Sequence, residues 1–169
     1  MRLFGKVTVQ FRPTSMRYAF LSLLSLATAI GCNAASIRGA QTEYMEEGQF
    51  QLLREFFTGR ESTGNRLVLR TNEDNRDGQY FELRLEDTLG ELPHGTRAVL
   101  EVISTEDLEP KRYEFAVDPA AKSRSHHLLL GLTGPDWPSD ERKALAWRIE
   151  LRAGDKAIGE WKSFLWELP

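Results

Sequence analysis

The sequence has little cysteine and no excess of positive charge, and each shortage excludes a class of protein. Its 169 residues contain one cysteine, Cys32, so neither an internal disulfide nor a cysteine-rich zinc site can form. Lys and Arg number 22 against 25 Asp and Glu, a net charge of -3 without the basic surplus typical of nucleic-acid-binding proteins. DNA and RNA partners are therefore not expected.

Long apolar runs are also scarce, because the longest uncharged apolar stretch, Tyr18 to Gly31, has only 14 residues. A helix that spans a bilayer needs roughly 20 residues, so a permanent membrane span is the weaker interpretation. Basic residues precede the run, and no acidic residue occurs before Glu43. A basic leader followed by a short apolar core is typical of a secretory signal peptide.

The apolar run ends in Ala29-Ile30-Gly31-Cys32, where a small residue precedes the one thiol of the chain. This tetrapeptide resembles the lipobox of bacterial lipoproteins. The resemblance implies cleavage after Gly31 and lipidation of Cys32 by a diacylglycerol thioether. Asn33 follows in place of the Asp that is typical of inner-membrane retention, so the resemblance favours the outer membrane.

Other interpretations of the leader stay open. An ordinary signal peptide cleaved at a small residue such as Ala35 would discard Cys32, and translation from Met16 would give a more compact leader than translation from Met1. In the favoured interpretation residues 1–31 are the signal peptide. Four basic and no acidic residues leave with it, so 18 basic residues remain against 25 acidic ones.

Residues 32–60 are expected to form a flexible tether with one ambiguous apolar element. Ala, Ser, Gln, Glu and Gly dominate from Asn33 to Gly48, a composition that buries too little surface to offset its ordering entropy. Five apolar residues then follow at helical spacing in a short run between glycines, a pattern that fits both a short helix and an edge strand. They are Phe50, Leu52, Leu53, Phe56 and Phe57.

From residue 61 to 169 the apolar residues follow the two-residue period of half-buried strands. The alternation is cleanest in Leu145, Trp147, Ile149 and Leu151, which we expect on the core side of one strand, with Trp147 between two sheets. Further runs bring the total to about seven strands. They are Leu67 to Thr71, Phe81-Leu83-Leu85, Ala98-Leu100-Val102, Tyr113-Phe115-Val117, Leu128-Leu130-Leu132 and Ile158 to Leu168.

Clusters of turn-forming residues separate these strands, among them Asn72 to Gly78 and Ala153 to Lys156. No long helical pattern lies between strands, so parallel crossovers are not expected and the fold class is an all-β, antiparallel two-sheet sandwich. The size fits an immunoglobulin-like or fibronectin-like domain, and a transthyretin-like or jelly-roll sandwich is the main competitor. No family resemblance is identified for the domain itself.

No sequence pattern identifies a catalytic residue, a cofactor or a metal. Neighbouring residues on a strand point to opposite faces, so His126 and His127 cannot readily chelate one ion, and His94 stands alone in a turn. The loop Glu73 to Gly78 begins like a calcium-binding loop, but its twelfth position is Arg84 in place of a bidentate Glu. A Gly-x-Ser-x-Gly elbow and glycine-rich phosphate loops are absent.

Indole side chains are the remaining candidates for binding, because they can stack on sugars or anchor interfaces. The strand position of Trp147 assigns it to the core. Trp137 lies in a proline-flanked loop, where it either plugs the end of the sandwich, the favoured interpretation, or contacts a ligand. Trp161 is a second contact candidate.

Together these features predict a non-enzymatic, lipid-anchored protein of the cell envelope whose sandwich presents a surface to another protein. A carbohydrate-binding module that uses Trp137 or Trp161 is the alternative, and an enzyme of unrecognised type is a second one. The expected partners are the membrane, reached through Cys32, and another envelope protein. No cofactor is expected.

Overall fold

The described residues form a β-sandwich with almost no helix. The computed structural model describes residues 35–50, 55, 57, 59 and 61–167, which belong to a compact unit from Cys32 to Pro169. The described strands form two four-stranded sheets, so the predicted all-β, two-sheet class is confirmed. The strands are β1 (Ile37–Met45), β2 (Arg66–Arg70), β3 (Gly78–Leu85), β4 (Thr96–Ser104), β5 (Lys111–Ala116), β6 (His127–Thr133), β7 (Ala144–Ala153) and β8 (Lys156–Lys162). The described helical elements are α1 (Glu47–Phe50) and 3-10 turns at Leu89–Glu91, Gly134–Asp136 and Phe164–Glu167.

The strand order is that of an immunoglobulin-like sandwich with one displaced strand. The first sheet has the order β1-β3-β6-β2 and the second has the order β5-β4-β7-β8. Seven strands take the places of immunoglobulin strands A, B and E in one sheet and C′, C, F and G in the other. The eighth, β2, takes the place of strand D, but it lies between the A and B equivalents in sequence and pairs with β6 in parallel.

This parallel pair corrects the expectation of a purely antiparallel sandwich. Because β1 and β2 run in the same direction, the chain between them, residues 46–65, must return along the sandwich. It crosses the outer face of the first sheet, where Phe50 packs against Tyr80 and Leu129. A connection of this length is long enough for a parallel crossover.

Residues 37–45, predicted to lie in a flexible tether, form the edge strand β1. The strand pairs with β3 along its whole length. Ile37 and Tyr44 near its ends pack against the core, but Ala40 and Thr42 between them on the core-facing side are small or polar, so the segment lacks the regular apolar alternation that identifies the other strands. Backbone hydrogen bonds to β3 satisfy its polar groups instead. The predicted boundary between tether and domain at residue 60 is therefore wrong.

The ambiguous apolar element is helical where it is described. Phe50, in α1, has a side chain that is 2% exposed, and its ring centroid lies 4.8 Å from that of Tyr80. Tyr80 lies opposite Gly131, where a Cβ atom would come within 2.4 Å of the tyrosine ring, so this close approach requires glycine. Outside the described residues lie Leu52, Leu53 and Phe56.

The core lies between the two sheets and contains the alternating residues that the sequence predicts. In β3, β4 and β6 the whole predicted core-facing set is buried. The rings of Phe81 and Trp147 meet edge to face, with centroids 5.7 Å apart and an interplanar angle of 70°. Since Phe81 belongs to the first sheet and Trp147 to the second, this pair joins the sheets across the core.

Leu145 is the member of the predicted β7 set that does not face the core. Its side chain is 39% exposed, whereas Ile149 and Leu151 are buried. The register between β4 and β7 shifts so that Ser104 lies opposite Ala144, which leaves Leu145 without an opposite residue. Such a bulge inserts one residue and reverses the alternation beyond it, so Leu145 turns outward.

We predict that Trp147→Ala lowers the free energy of unfolding by about 3 to 5 kcal/mol, because it leaves a large cavity between the sheets. Denaturant titration measures the change. Phe164→Ala is the control, because that side chain is exposed and its loss should cost less than about 0.5 kcal/mol. A Trp147→Ala midpoint equal to that of the wild type would contradict a structural role for this indole.

Candidate functional sites at the two ends of the sandwich

The strand register defines two ends of the described unit. The described chain begins at Ala35, whose amide donates to the Ile158 carbonyl at 2.7 Å. We call the end that contains Ala35 the near end and the opposite one the far end. The near end holds connections 62–65, 86–95, 117–126 and 154–155. The far end holds segments 46–50, 71–77, 105–110, 134–143 and 163–167.

The far end is strongly acidic. Its connections carry twelve acidic side chains against three basic ones, Arg76, Arg142 and Lys143. This excess creates a negative potential that attracts basic partners and repels acidic ones. The acidic residues are Glu46, Glu47, Glu73, Asp74, Asp77, Glu106, Asp107, Glu109, Asp136, Asp140, Glu141 and Glu167.

Large apolar side chains are exposed at the same end. Phe164 and Leu165, in the C-terminal 3-10 turn, are 79% and 51% exposed, and Leu145 lies at the far end of β7. The Ser163 amide donates to the Trp147 carbonyl at 2.8 Å, and the Trp147 amide donates to Ser163 Oγ at 3.0 Å. These two hydrogen bonds hold the turn against β7. Single exposed leucines are ordinary, but here three large exposed apolar side chains lie on two contacting elements at one end of the sandwich. We call Leu145, Phe164 and Leu165 the far-end patch.

Trp137 belongs to the far-end connection 134–143, and its buried indole is inaccessible to ligands. Its side chain is 1% exposed, and its Nε1 donates to the Arg142 carbonyl at 3.1 Å. The Arg142 guanidinium lies 4.7 Å from the indole centroid, and its Nε donates to Ser104 Oγ at 3.1 Å. The indole therefore plugs the end of the sandwich, and the alternative contact role for Trp137 is wrong.

Trp161, the other contact candidate, lies on the edge strand β8 opposite Ile149. Its side chain is half-buried and packs against the main core. A sugar platform needs an exposed aromatic face, and this packing directs the indole of Trp161 towards the interior.

A row of basic side chains crosses the first sheet at the near end. Arg84 on β3 lies opposite His127 on β6, and His127 lies opposite Arg66 on β2. Directly opposite residues share a face of the sheet, and this face is the outer one because the adjacent Leu83 and Leu128 are buried in the core. We call Arg66, Arg84 and His127 the cation row.

The positive charge of this row is only partly compensated. His127 Nδ1 lies 2.7 Å from Glu82 Oε1. Within the described part of the chain, Arg66 and Arg84 have no ion pair and no side-chain hydrogen bond. Arg66 and Arg84 lie on either side of His127, so two guanidinium groups without an ion pair among the described residues share this end of the outer face.

An open depression of about 470 Å³ adjoins the cation row. Arg38 and Glu86 form an exposed ion pair at its rim, at 3.4 Å. His126 directly precedes β6, and both histidines line the depression. The lining residues are Arg38, Arg84, Leu85, Glu86, His126 and His127.

The near end as a whole is more basic than the far end. The two residues of each strand that lie closest to it include six Lys or Arg and no acid. Five acidic residues and two basic ones lie in the near-end connections. The basic strand-end residues are Arg38, Arg66, Arg84, Arg97, Arg152 and Lys156.

A third polar cluster fastens the connection between β1 and β2 to the outer face of the first sheet. Arg70 donates to both carboxylate oxygens of Glu61, at 3.0 and 2.6 Å, and to the Tyr80 hydroxyl at 2.7 Å. Its guanidinium lies 4.8 Å from the Phe50 centroid. The hydrogen bonds from Arg70 hold the pKa of Glu61 below its ordinary value, and burial raises the pKa of Tyr80. This paired, largely buried cluster is structural.

The calcium-like loop Glu73 to Gly78 lies at the far end and forms tight turns. The side-chain oxygens of Asn72 and Asn75 accept hydrogen bonds from the amides of Asp74 and Asp77, at 3.0 and 2.9 Å. Across the part of the chain that the structure describes, no three His, Cys, Asp or Glu residues are placed to hold a metal ion.

Gly31 and Cys32 lie outside the described residues, as does the whole predicted signal peptide, so cleavage and lipidation stay predictions. No helix within the described ranges is long and apolar enough to span a membrane.

The chain matches no protein-family model, no curated protein and no solved structure. A function must therefore be argued from its own residues.

Sequence reasoning misses both the cation row and the far-end patch. Arg66, Arg84 and His127 are 18 and 43 residues apart along the chain, and they meet because β2 pairs with β6 in parallel. The far-end patch has one sequence signal. Phe164 to Trp166 are consecutive large apolar residues beyond the last alternating strand, a run that an edge strand would not expose.

We predict that Glu61→Gln lowers the free energy of unfolding at pH 7 because it removes the ion pair with Arg70. The loss should be about 1 kcal/mol, since solvent partly screens this pair. The folded pKa of Glu61 is lowered, so its stabilising contribution is present above its unfolded pKa of about 4.3 and is lost as the pH falls through the folded value. Denaturant midpoints at neutral pH and near pH 3 measure this, and the difference from wild type should shrink on the acid side.

The matched control is Glu73→Gln, which removes an exposed carboxylate that has no ion pair within the described residues. Its midpoints should follow those of the wild type at both pH values. A Glu61→Gln difference that persists undiminished in acid would show that the carboxylate charge does not stabilise this cluster.

Proposed function

We propose that the protein is a lipid-anchored, non-enzymatic component of the bacterial cell envelope that binds a basic, apolar segment of another protein at its far end. The observation that carries the binding role is the position of the far-end patch on the acidic end of the sandwich. The anchor rests on the lipobox-like sequence at Cys32, and Asn33 favours the outer membrane.

The chemistry of the far end selects the chemistry of the partner. Apolar surface buried against the patch contributes roughly 25 cal/mol per Å². Acidic residues border the patch in sequence, since Asp140 and Glu141 precede Leu145 and Glu167 closes the turn that holds Phe164. Lys and Arg side chains around an apolar centre complement this arrangement, and acidic surfaces are repelled.

The place where the chain enters the sandwich suits this division of roles. Cys32 is three residues before Ala35, which is fixed to β8 at the near end. Three residues span at most about 11 Å, so an acylated Cys32 would hold the near end close to the membrane. The far-end patch would then face away from the bilayer, towards a partner.

The described residues do not favour the two alternative functions. A carbohydrate platform loses its main candidate because Trp137 is buried. Among the groups with perturbed pKa values, Glu61 and Tyr80 are bound to Arg70 in a structural cluster, so their perturbation does not by itself indicate catalysis.

We predict that Cys32→Ala abolishes incorporation of a fatty-acid analogue, because this cysteine is the one thiol that can carry the thioether. Asn33→Ala is the matched control, since it alters the neighbouring position and should label like the wild type. Equal labelling of wild type and Cys32→Ala, or a mature N-terminus beyond Cys32, would refute the anchor.

We also predict that a photo-crosslinking amino acid at Leu165 captures one protein partner in cells, through a peptide that contains basic and apolar residues. The same amino acid at His94, exposed at the near end, is the control and should not give this adduct. Adding Phe164→Asp should reduce the Leu165 adduct by about tenfold or more, because burial of a Phe side chain contributes roughly 1.5–3 kcal/mol. Equal adducts from both positions, or an acidic captured segment, would contradict the proposal.

A further inference from the structure

We propose that the cation row and the adjoining depression bind the phosphate of an anionic phospholipid headgroup in the membrane to which the protein is anchored. This inference rests on the proposed lipid anchor for the source of the ligand. Its chemistry rests on the described residues of the near end alone.

The first argument is uncompensated charge. Arg66 and Arg84 flank His127 in one row across three strands, and neither arginine has an ion pair within the described residues. Two carboxylates stand nearby, but Glu82 is paired with His127 and Glu86 with Arg38. Arg66 and Arg84 therefore offer hydrogen-bond donors to an anion placed over the row, and a guanidinium binds phosphate oxygens in a bidentate manner.

The second argument is space. The depression of about 470 Å³ is open to solvent, and its volume falls within the roughly 300–1,000 Å³ range of small-molecule sites. β1 contributes no side chain where the row ends, because Gly39 lies opposite Arg84. A Cβ atom at Gly39 would lie 3.9 Å from an Arg84 terminal nitrogen, so the guanidinium lies over the backbone of β1. The arginine can therefore reach a group that approaches from the sheet edge.

The third argument is location. The Glu86 amide donates to the Ser36 carbonyl at 2.8 Å, which places the depression beside the first described residues. Ser36 is the fourth residue after Cys32, so the two lie at most about 14 Å apart. A lipid-modified Cys32 would therefore keep the cation row within reach of the headgroup layer. Juxtamembrane basic residues gain about 1 kcal/mol each from an anionic leaflet.

The test uses the unit 32–169 with Cys32→Ser, so that no acyl chain contributes to binding. This unit contains every described strand and is compact by itself. Flotation compares vesicles of phosphatidylcholine with vesicles that also contain phosphatidylglycerol, at physiological ionic strength. We expect binding to the anionic vesicles, weakened about fivefold by Arg84→Gln and by a similar further factor when Arg66→Gln is added.

Arg112→Gln is the matched control, because it removes one exposed arginine from the far half of β5, where Arg112 pairs with Glu114. It should leave vesicle binding unchanged. If Arg112→Gln weakened vesicle binding as much as Arg84→Gln, binding would depend on net charge alone, and the proposed site would be overturned. Circular dichroism of each variant verifies that the sandwich is intact.

A competition experiment distinguishes a lipid headgroup from free inorganic phosphate as the ligand. Inorganic phosphate, at a concentration equal to that of the accessible lipid phosphate, should not release the protein from anionic vesicles. Release by inorganic phosphate, or equal binding to vesicles with and without phosphatidylglycerol, would overturn the proposal. Since the probe is unlipidated, failure here leaves the Cys32 labelling result intact, and failure of that labelling leaves the headgroup result to be judged by itself.

Discussion

The packing of the Tyr80 ring against Gly131 and Phe50 determines the path of the chain between β1 and β2. The strand pairing of the first sheet depends on that path. The ring lies flat enough on the sheet that a Cβ at Gly131 would collide with it, and Phe50 covers it from outside. This contact holds the connection between β1 and β2 on the outer face, so β2 begins at the near end and pairs with β6 in parallel. Without that path Arg66 would not lie beside His127.

The same path explains why the outer face of the first sheet is divided. Its middle is apolar and covered, because Val68 and Leu129 pack in the cluster formed by Phe50 and Tyr80. On the side of this cluster nearest the far end, Arg70 donates hydrogen bonds to Glu61 and to the Tyr80 hydroxyl. The cover stops before the last row at the near end, where Arg84 is exposed and Arg66 and His127 are half-buried.

Sequence reasoning finds the strands that are buried on the core side and misses what depends on pairing partners. Phe81, Leu83 and Leu85 alternate because one face must be apolar, and the structure buries all three. β1 escapes detection because an edge strand can be ordered by hydrogen bonds to β3 with almost no apolar alternation. The outward turn of Leu145 follows from a bulge against β4, which no pattern in β7 alone reveals.

The two proposed sites reinforce each other through orientation. A protein held by a lipid alone would sample many directions, so the far-end patch would face a partner only part of the time. The proposed anchor would confine the near end to the bilayer surface, where a headgroup contact would act at the high effective concentration of a tethered ligand, on the order of millimolar for short linkers. A weak phosphate interaction at Arg66 and Arg84 would then be sufficient to keep the far end directed away from the bilayer. The acidic far end contributes to the same orientation, since an anionic leaflet repels it while it attracts the basic strand ends.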